Sequence, residues 1–185
     1  MSTVNLIKGQ KISLEKPGGG TLSNVFMGLG WDPARGSDDI DLDASCICLD
    51  AQKKVVDVIY FGQLSGASGS VIHSGDNLTG EGDGDDEVIN VDLSRVPANI
   101  ESLVFTINSF HGQTFNEVDN CFARLVDKSS KTELCIFKLN EKGSNNAMVM
   151  CRIYRYNGQW KMNALGNPAN GRTANDLLPS IIKMY

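Results

Sequence analysis

The sequence predicts an all-β fold: a two-sheet β-sandwich with short peripheral helices, one of them near the C-terminus. Three observations carry this. β-like runs recur along the chain at 11–14, 25–31, 40–49, 54–61, 71–74, 88–93, 103–109, 121–126, 134–139, 147–156 and 159–164, with turn residues between them. Asn157-Gly158 separates the last two runs, and both residues tolerate positive φ, a strong hairpin signal. Helical periodicity is confined to the end of the chain.

Within run 40–49 the side chains alternate between faces. Ile40, Leu42, Ala44 and Cys46 are expected in the core, which leaves Asp39, Asp41 and Asp43 on the opposite face. Phe105, Phe110, Phe122 and Phe137, together with Met148 and Met150, lie in strand-like runs and are expected to pack inside. Near the end, Thr173 and Asp176 fit a capping box. Leu177, Leu178, Ile181, Ile182 and Tyr185 then form an apolar stripe suited to packing on the sandwich. Pro179 falls inside this pattern and is expected to kink or shorten the helix.

A chain of 185 residues with 41% hydrophobic and 21% charged residues buries its own core, and neither a repeat nor a linker divides it. One domain over 1–185 is the expectation. A formal net charge of -5 lacks the basic footprint of non-specific nucleic-acid binding. Five scattered cysteines (46, 48, 121, 135 and 151) read as reduced, buried thiols. The opening residues contain no signal-peptide core, and no run reaches the ~18 apolar residues of a bilayer span. A cytoplasmic location without membrane insertion is therefore expected.

The acidity is concentrated. Asp38 to Asp43 carries Asp at 38, 39, 41 and 43, with no Lys or Arg until Lys53. Between Lys54 and Arg95 there is again none, and that span holds Gly75-Asp76-Asn77-Leu78-Thr79-Gly80-Glu81-Gly82-Asp83-Gly84-Asp85-Asp86-Glu87. Two carboxylates on one strand face, ~6.6 Å apart, repel by roughly 2–3 kcal/mol at an effective dielectric near 20. A bound divalent cation reverses that sign. The candidate ligands are Asp39, Asp41, Asp43, Asp76, Asn77, Asp83, Asp85, Asp86 and Glu87. All are hard oxygen donors, which suit calcium better than zinc or copper, with magnesium left open.

Neither segment is an EF-hand. A loop begun at Asp76 places Glu87 twelfth, but Leu78, Gly80 and Glu81 then occupy positions that need two acids and a glycine. Begun at Asp39, it puts Ala44 where the glycine belongs. The rival readings are a calcium-dependent hydrolase using the acidic cluster and a calcium-bridged lipid-binding module. For the hydrolase, a general acid needs a pKa raised by an apolar pocket, whereas these carboxylates sit in wettable, Gly-rich sequence. His73 reads as a strand residue rather than a base. For the lipid module, only Leu78 offers an apolar tip beside the loop.

Gly28-Leu29-Gly30-Trp31-Asp32, Asp39-Ile40-Asp41-Leu42-Asp43-Ala44-Ser45 and, above all, the run 75–87 resemble the TerD family of tellurium-resistance and bacterial stress proteins. The likeness extends to Lys8-Gly9-Gln10-Lys11-Ile12-Ser13-Leu14, Phe115-Asn116-Glu117-Val118 and Tyr154-Arg155-Tyr156-Asn157-Gly158-Gln159-Trp160-Lys161. Cys46, Cys48 and the tail 166–185 depart from the family pattern. The resemblance implies a β-sandwich with two calcium ions between the acidic strand and the acidic loop, and no catalytic reaction. It also implies a place in stress operons tied to tellurite, phage and colicin resistance, as an ion-binding sensor or scaffold. Other stress-operon proteins, membrane-bound ones included, are the implied partners.

Overall fold

The computed structural model describes residues 3–16, 20–34, 40–76, 84–139 and 143–184. In chain order the strands are β1 (Val4–Leu6), β2 (Lys11–Ser13), β3 (Asn24–Pro33), β4 (Leu42–Leu49), β5 (Val55–Ile59), β6 (Ser65–Gly66) and β7 (Val71–His73). They continue as β8 (Glu87–Asp92), β9 (Ser102–Ser109), β10 (Val118–Asp127), β11 (Thr132–Lys138), β12 (Ala147–Tyr156) and β13 (Gln159–Ala169). One helix, α1 (Ala174–Lys183), follows, and two single 3-10 turns lie at Ala67–Gly69 and Phe115–Glu117.

The strands form two sheets. One has the order β1-β11-β10-β3-β8-β7-β6, the other β2-β13-β12-β9-β4-β5. Pairing is antiparallel except between β1 and β11, which run parallel. The two-sheet sandwich expected from the run spacing is the fold observed. β1 and β6, of three and two residues, are too short to leave a periodic trace.

Burial explains why the strands differ in composition. β8 alternates between buried and half-buried positions, because the outer side of its sheet meets water. Every residue of β4 and β9 is buried, since both faces of these strands are covered. On the inner side Ala44, Cys46, Phe105 and Ile107 join the main core with Met27, Leu29, Ile89 and Met150. On the outer side Ile47, Leu49, Val104 and Val149 pack under Leu177 and Ile181 of α1.

Thr173 and Asp176 form the expected capping box at the start of that helix. The helix runs on through Pro179 to Lys183 instead of stopping there. Proline removes one amide donor, but burial of Leu177 and Ile181 on either side holds the turn in place. Ile182, expected in the stripe, is 44% exposed, and Tyr185 lies outside the described residues.

The β12–β13 hairpin turns through Asn157 (φ 51°) and Gly158 (φ 74°), the left-handed pair expected there. All five cysteines are buried and unpaired. Burial pushes the Cys121 and Cys135 thiols up to about 12, which leaves them inert packing atoms. Phe105 and Phe137 are core residues as expected, but Phe110 is 42% exposed and Phe122 only half-buried. Phe110 lies just past the end of β9, so strand alternation no longer directs its ring inward.

Candidate metal centre

Four strand ends meet at one end of the sandwich: β4 and β9 from one sheet, β7 and β8 from the other. Asp43 is the second residue of β4, and Asp41 immediately precedes that strand. Asp76 lies three residues past the end of β7, and Glu87 opens β8. Carboxylate oxygens of Asp41, Asp43 and Asp76 all lie within 4.8 Å of one another. The acidic strand and the acidic loop, expected to converge, do so at these three residues.

The surroundings differ from the sequence-based picture in one respect. Asp41 and Asp43, on the strand face opposite the core and in sequence read as wettable, are only 7% and 3% exposed. It is the same face that α1 covers further along β4, and at the carboxylates themselves Asn108 and His111 close in. Among the described residues no Lys or Arg pairs with any of the three, and the only ionisable partner is His111, whose Nε2 lies 3.6 Å from Asp41 Oδ2. Asp41 Oδ1 is buried with no hydrogen-bond donor.

The electrostatic consequence is direct. Burial, then the charges of Asp41, Glu87 and Asp76, push Asp43 up to about 7, against a smaller downward pull from Asn108. Burial and the charge of Asp76 raise Asp41 as well. Oxygens that share one calcium at about 2.3–2.6 Å sit at most about 5 Å apart, so the observed spacing fits a common ion. Three close carboxylates, two of them buried, with no Lys or Arg paired to them among the described residues, make the chemistry of a hard-metal site.

Behind the three aspartates lies a buried polar wall. β5 pairs with β4 only from Cys46 to Leu49, which leaves the Ala44 peptide without a strand partner on that edge. Glu87 and His73 fill the gap. Glu87 Oε2 accepts the Ala44 amide at 2.7 Å, and His73 Nε2 lies 3.1 Å from both that oxygen and the Ala44 carbonyl. Nδ1 of His73 accepts the Gly75 amide at 3.1 Å, which assigns the proton of the neutral ring to Nε2. Burial lowers the His73 pKa, but the hydrogen bond and charge of Glu87 outweigh it, and the net shift is upward.

The far end of the acidic loop is pinned separately. Asp85 forms a fork with Arg124, at 2.7 Å to Nε and 2.8 Å to Nη2. Asp86 Oδ2 accepts the Trp31 amide at 2.8 Å. The glycines of the run 28–32 make room for this: a Cβ on Gly28 would overlap the Asp85 carboxylate, and one on Gly30 would overlap the Phe122 ring and the Gly84 carbonyl. Of the nine candidate ligands, Asp41, Asp43 and Asp76 are thus brought together, with Glu87 behind them. Asp85 and Asp86 are engaged along β3 and β10. Asp39, Asn77 and Asp83 lie outside the described residues.

Asn108 and His111 were absent from the sequence-based set, and His73 entered it only as a strand residue. Asn108 Nδ2 donates to Asp43 Oδ2 at 3.0 Å. Asn108 sits in the polar end of β9, Thr106-Ile107-Asn108-Ser109, where sequence alone does not single it out. His73 and His111 come to the site only through tertiary contacts, which no local pattern encodes.

A two-sheet sandwich with a partly buried acidic pocket where its strand ends meet is a fold with a metal-competent site. The chain belongs to the TerD family: the TerD domain matches residues 1–180. It is 50% identical to the tellurium resistance protein TerZ of Serratia marcescens, over 97% of each chain. It is 44% identical to general stress protein 16U of Bacillus subtilis (strain 168), covering 93% of this chain and 94% of that one. The solved structure of a homologue of telluride resistance protein (TerD) from Streptomyces coelicolor A3(2) superposes with a TM-score of 0.71 at 20% identity, covering 88% and 97%, and shares the fold. Membership places the chain among stress and tellurium-resistance proteins rather than enzymes. Among the described residues no helix is long and apolar enough to cross a membrane.

Proposed function

We propose that this protein binds calcium at the Asp41–Asp43–Asp76 pocket and serves as an ion-dependent sensor or scaffold in the cellular response to tellurite and related stress. The observation that carries the reading is three mutually close carboxylates, two of them buried, with no Lys or Arg paired to them among the described residues. At an effective dielectric near 20, each pair at that spacing repels by roughly 3–4 kcal/mol, which a divalent ion converts into attraction. Asp39, Asn77 and Asp83, on the adjoining segments, are the proposed source of further oxygens and of a second ion. The raised Asp43 pKa follows from burial and like charge in the absence of a cation, so it needs no catalytic role to explain it.

The names of the relatives support the physiological half of the reading, since they refer to tellurium resistance and general stress. A cytoplasmic location, links to phage and colicin resistance, and other stress-operon proteins as partners belong to the same proposal; nucleic acid does not. Isothermal titration with calcium, in parallel with magnesium, tests it. Saturable calcium uptake with a rise in melting temperature is expected, because an ion that binds only the folded state stabilises it by about 2.7 kcal/mol at a hundredfold excess over Kd. No uptake at millimolar calcium would sink the reading.

A further inference from the structure

Asn108 joins the acidic pocket to the C-terminal helix. It is fully buried on β9, directly opposite Asp43 in the β4–β9 register. One side-chain nitrogen serves two acceptors: Asp43 Oδ2 at 3.0 Å and the Arg172 carbonyl at 2.7 Å. A flipped amide would set oxygen against both acceptors, so these contacts fix its orientation. The cost is visible in Asn108 Oδ1, which is buried and has no donor among the described residues.

Arg172 immediately precedes Thr173, the N-cap of α1. The approach to the helix is held at the same end of the sandwich. The Gly171 amide donates to Asn146 Oδ1 at 3.0 Å, and Asn145 donates to Asn170 at 3.1 Å. The amides of Arg172 and Thr173 both donate to Asp176, each at 3.0 Å. Further on, Leu177 and Ile181 seal Ile47, Leu49, Val104 and Val149, and Ile47 shares its face of β4 with Asp43. Helix and carboxylate therefore lie on one face of one sheet, with a single amide between them.

We infer that Asn108 is a positioning residue that makes ion binding at the pocket and the seating of α1 one coupled equilibrium. The inference rests on the calcium reading and deepens it. An ion that holds the Asp43 carboxylate in place strengthens its charge-assisted bond to Asn108, and with it the bond to Arg172. Reciprocity then requires a well-seated helix to tighten the ion by the same factor. Calcium occupancy thereby governs how often α1 lifts and uncovers the apolar surface beneath it.

Hydrogen exchange of the α1 amides in the full-length chain, with and without saturating calcium, tests the coupling in wild type and in Asn108→Leu, alongside calorimetric titration of each. In wild type, calcium is expected to slow α1 exchange by about fivefold or more. Asn108→Leu is expected to bind calcium about 10–100-fold more weakly and, once saturated, to leave α1 exchange close to its calcium-free value. Asp176→Ala alters only the exposed start of α1, so it tests the reciprocal even if the buried substitution unfolds the protein. A calcium affinity lowered by about threefold or more supports coupling, and unchanged affinity overturns it. Calcium uptake with unmoved α1 exchange in wild type overturns the coupling and leaves the calcium reading intact. No uptake at all overturns both.

Discussion

Glu87 Oε2 accepts the Ala44 amide at 2.7 Å, so a side chain from one sheet completes the edge of a strand in the other. The carboxylate is fully buried and also meets His73. Glu87→Ala would strand the buried Ala44 amide without its acceptor and leave His73 Nε2 with the Ala44 carbonyl alone. A loss of about 1–3 kcal/mol is expected in urea unfolding, from one buried amide left unsatisfied and one His73 contact removed. A loss under about 0.5 kcal/mol would mean that water replaces the carboxylate.

The pH dependence of the calcium-free protein follows from Asp43. Its folded-state pKa, about 7, lies above the ordinary carboxylate value of 3.8, so the folded chain holds a proton that the unfolded chain has lost. Stability is therefore highest at the acid end of that window and falls as pH rises from about 4 to about 7, by an amount on the order of 4 kcal/mol. Saturating calcium should flatten or reverse the trend, because the ion requires the ionised form. Denaturation midpoints at pH 5 and pH 8, each with calcium and with chelator, check the sign.

Asp43→Asn and Asp41→Asn separate ion binding from folding. Each removes a repelling charge, so the calcium-free protein should melt at the same temperature or higher. The calcium-induced rise in melting temperature should disappear. A variant that melts lower without calcium yet keeps its calcium response would contradict the ligand assignment. These replacements keep the side-chain volume, so loss of packing does not confound them.

Asp85→Ala is the contrasting case. Its carboxylate is held in a fork by Arg124, 7% exposed on the aspartate side. Removing it should cost about 2–4 kcal/mol by leaving the guanidinium poorly paired, with calcium affinity unchanged within about twofold. Gly28→Ala should act through the same fork, since its new Cβ would collide with Asp85. Overpacking of this kind costs about 1–3 kcal/mol, and a shift in melting temperature would report it.

Much of the fold could be read from the sequence because the relevant patterns are local. Asn157-Gly158, the alternation at 88–93 and the capping box at Thr173 each depend on neighbours within a few residues. The enclosure of Asp41 and Asp43 could not be read that way. A polar strand face looks the same in sequence whether water or a distant helix covers it, and α1 lies more than a hundred residues further along. For the same reason 75–87 read as one ligand-bearing loop. Its end is divided between Arg124 and Trp31, partners that only the β3–β10 pairing brings near.

The parallel pairing of β1 with β11 sets an order on synthesis. Val4 pairs with Cys135, and Ser13 with Lys161, so β1 and β2 have no partner until more than a hundred further residues have followed them. A product stalled before β11 would therefore present β1 and β2 as bare hydrogen-bonding edges, open to pairing with a neighbouring nascent chain.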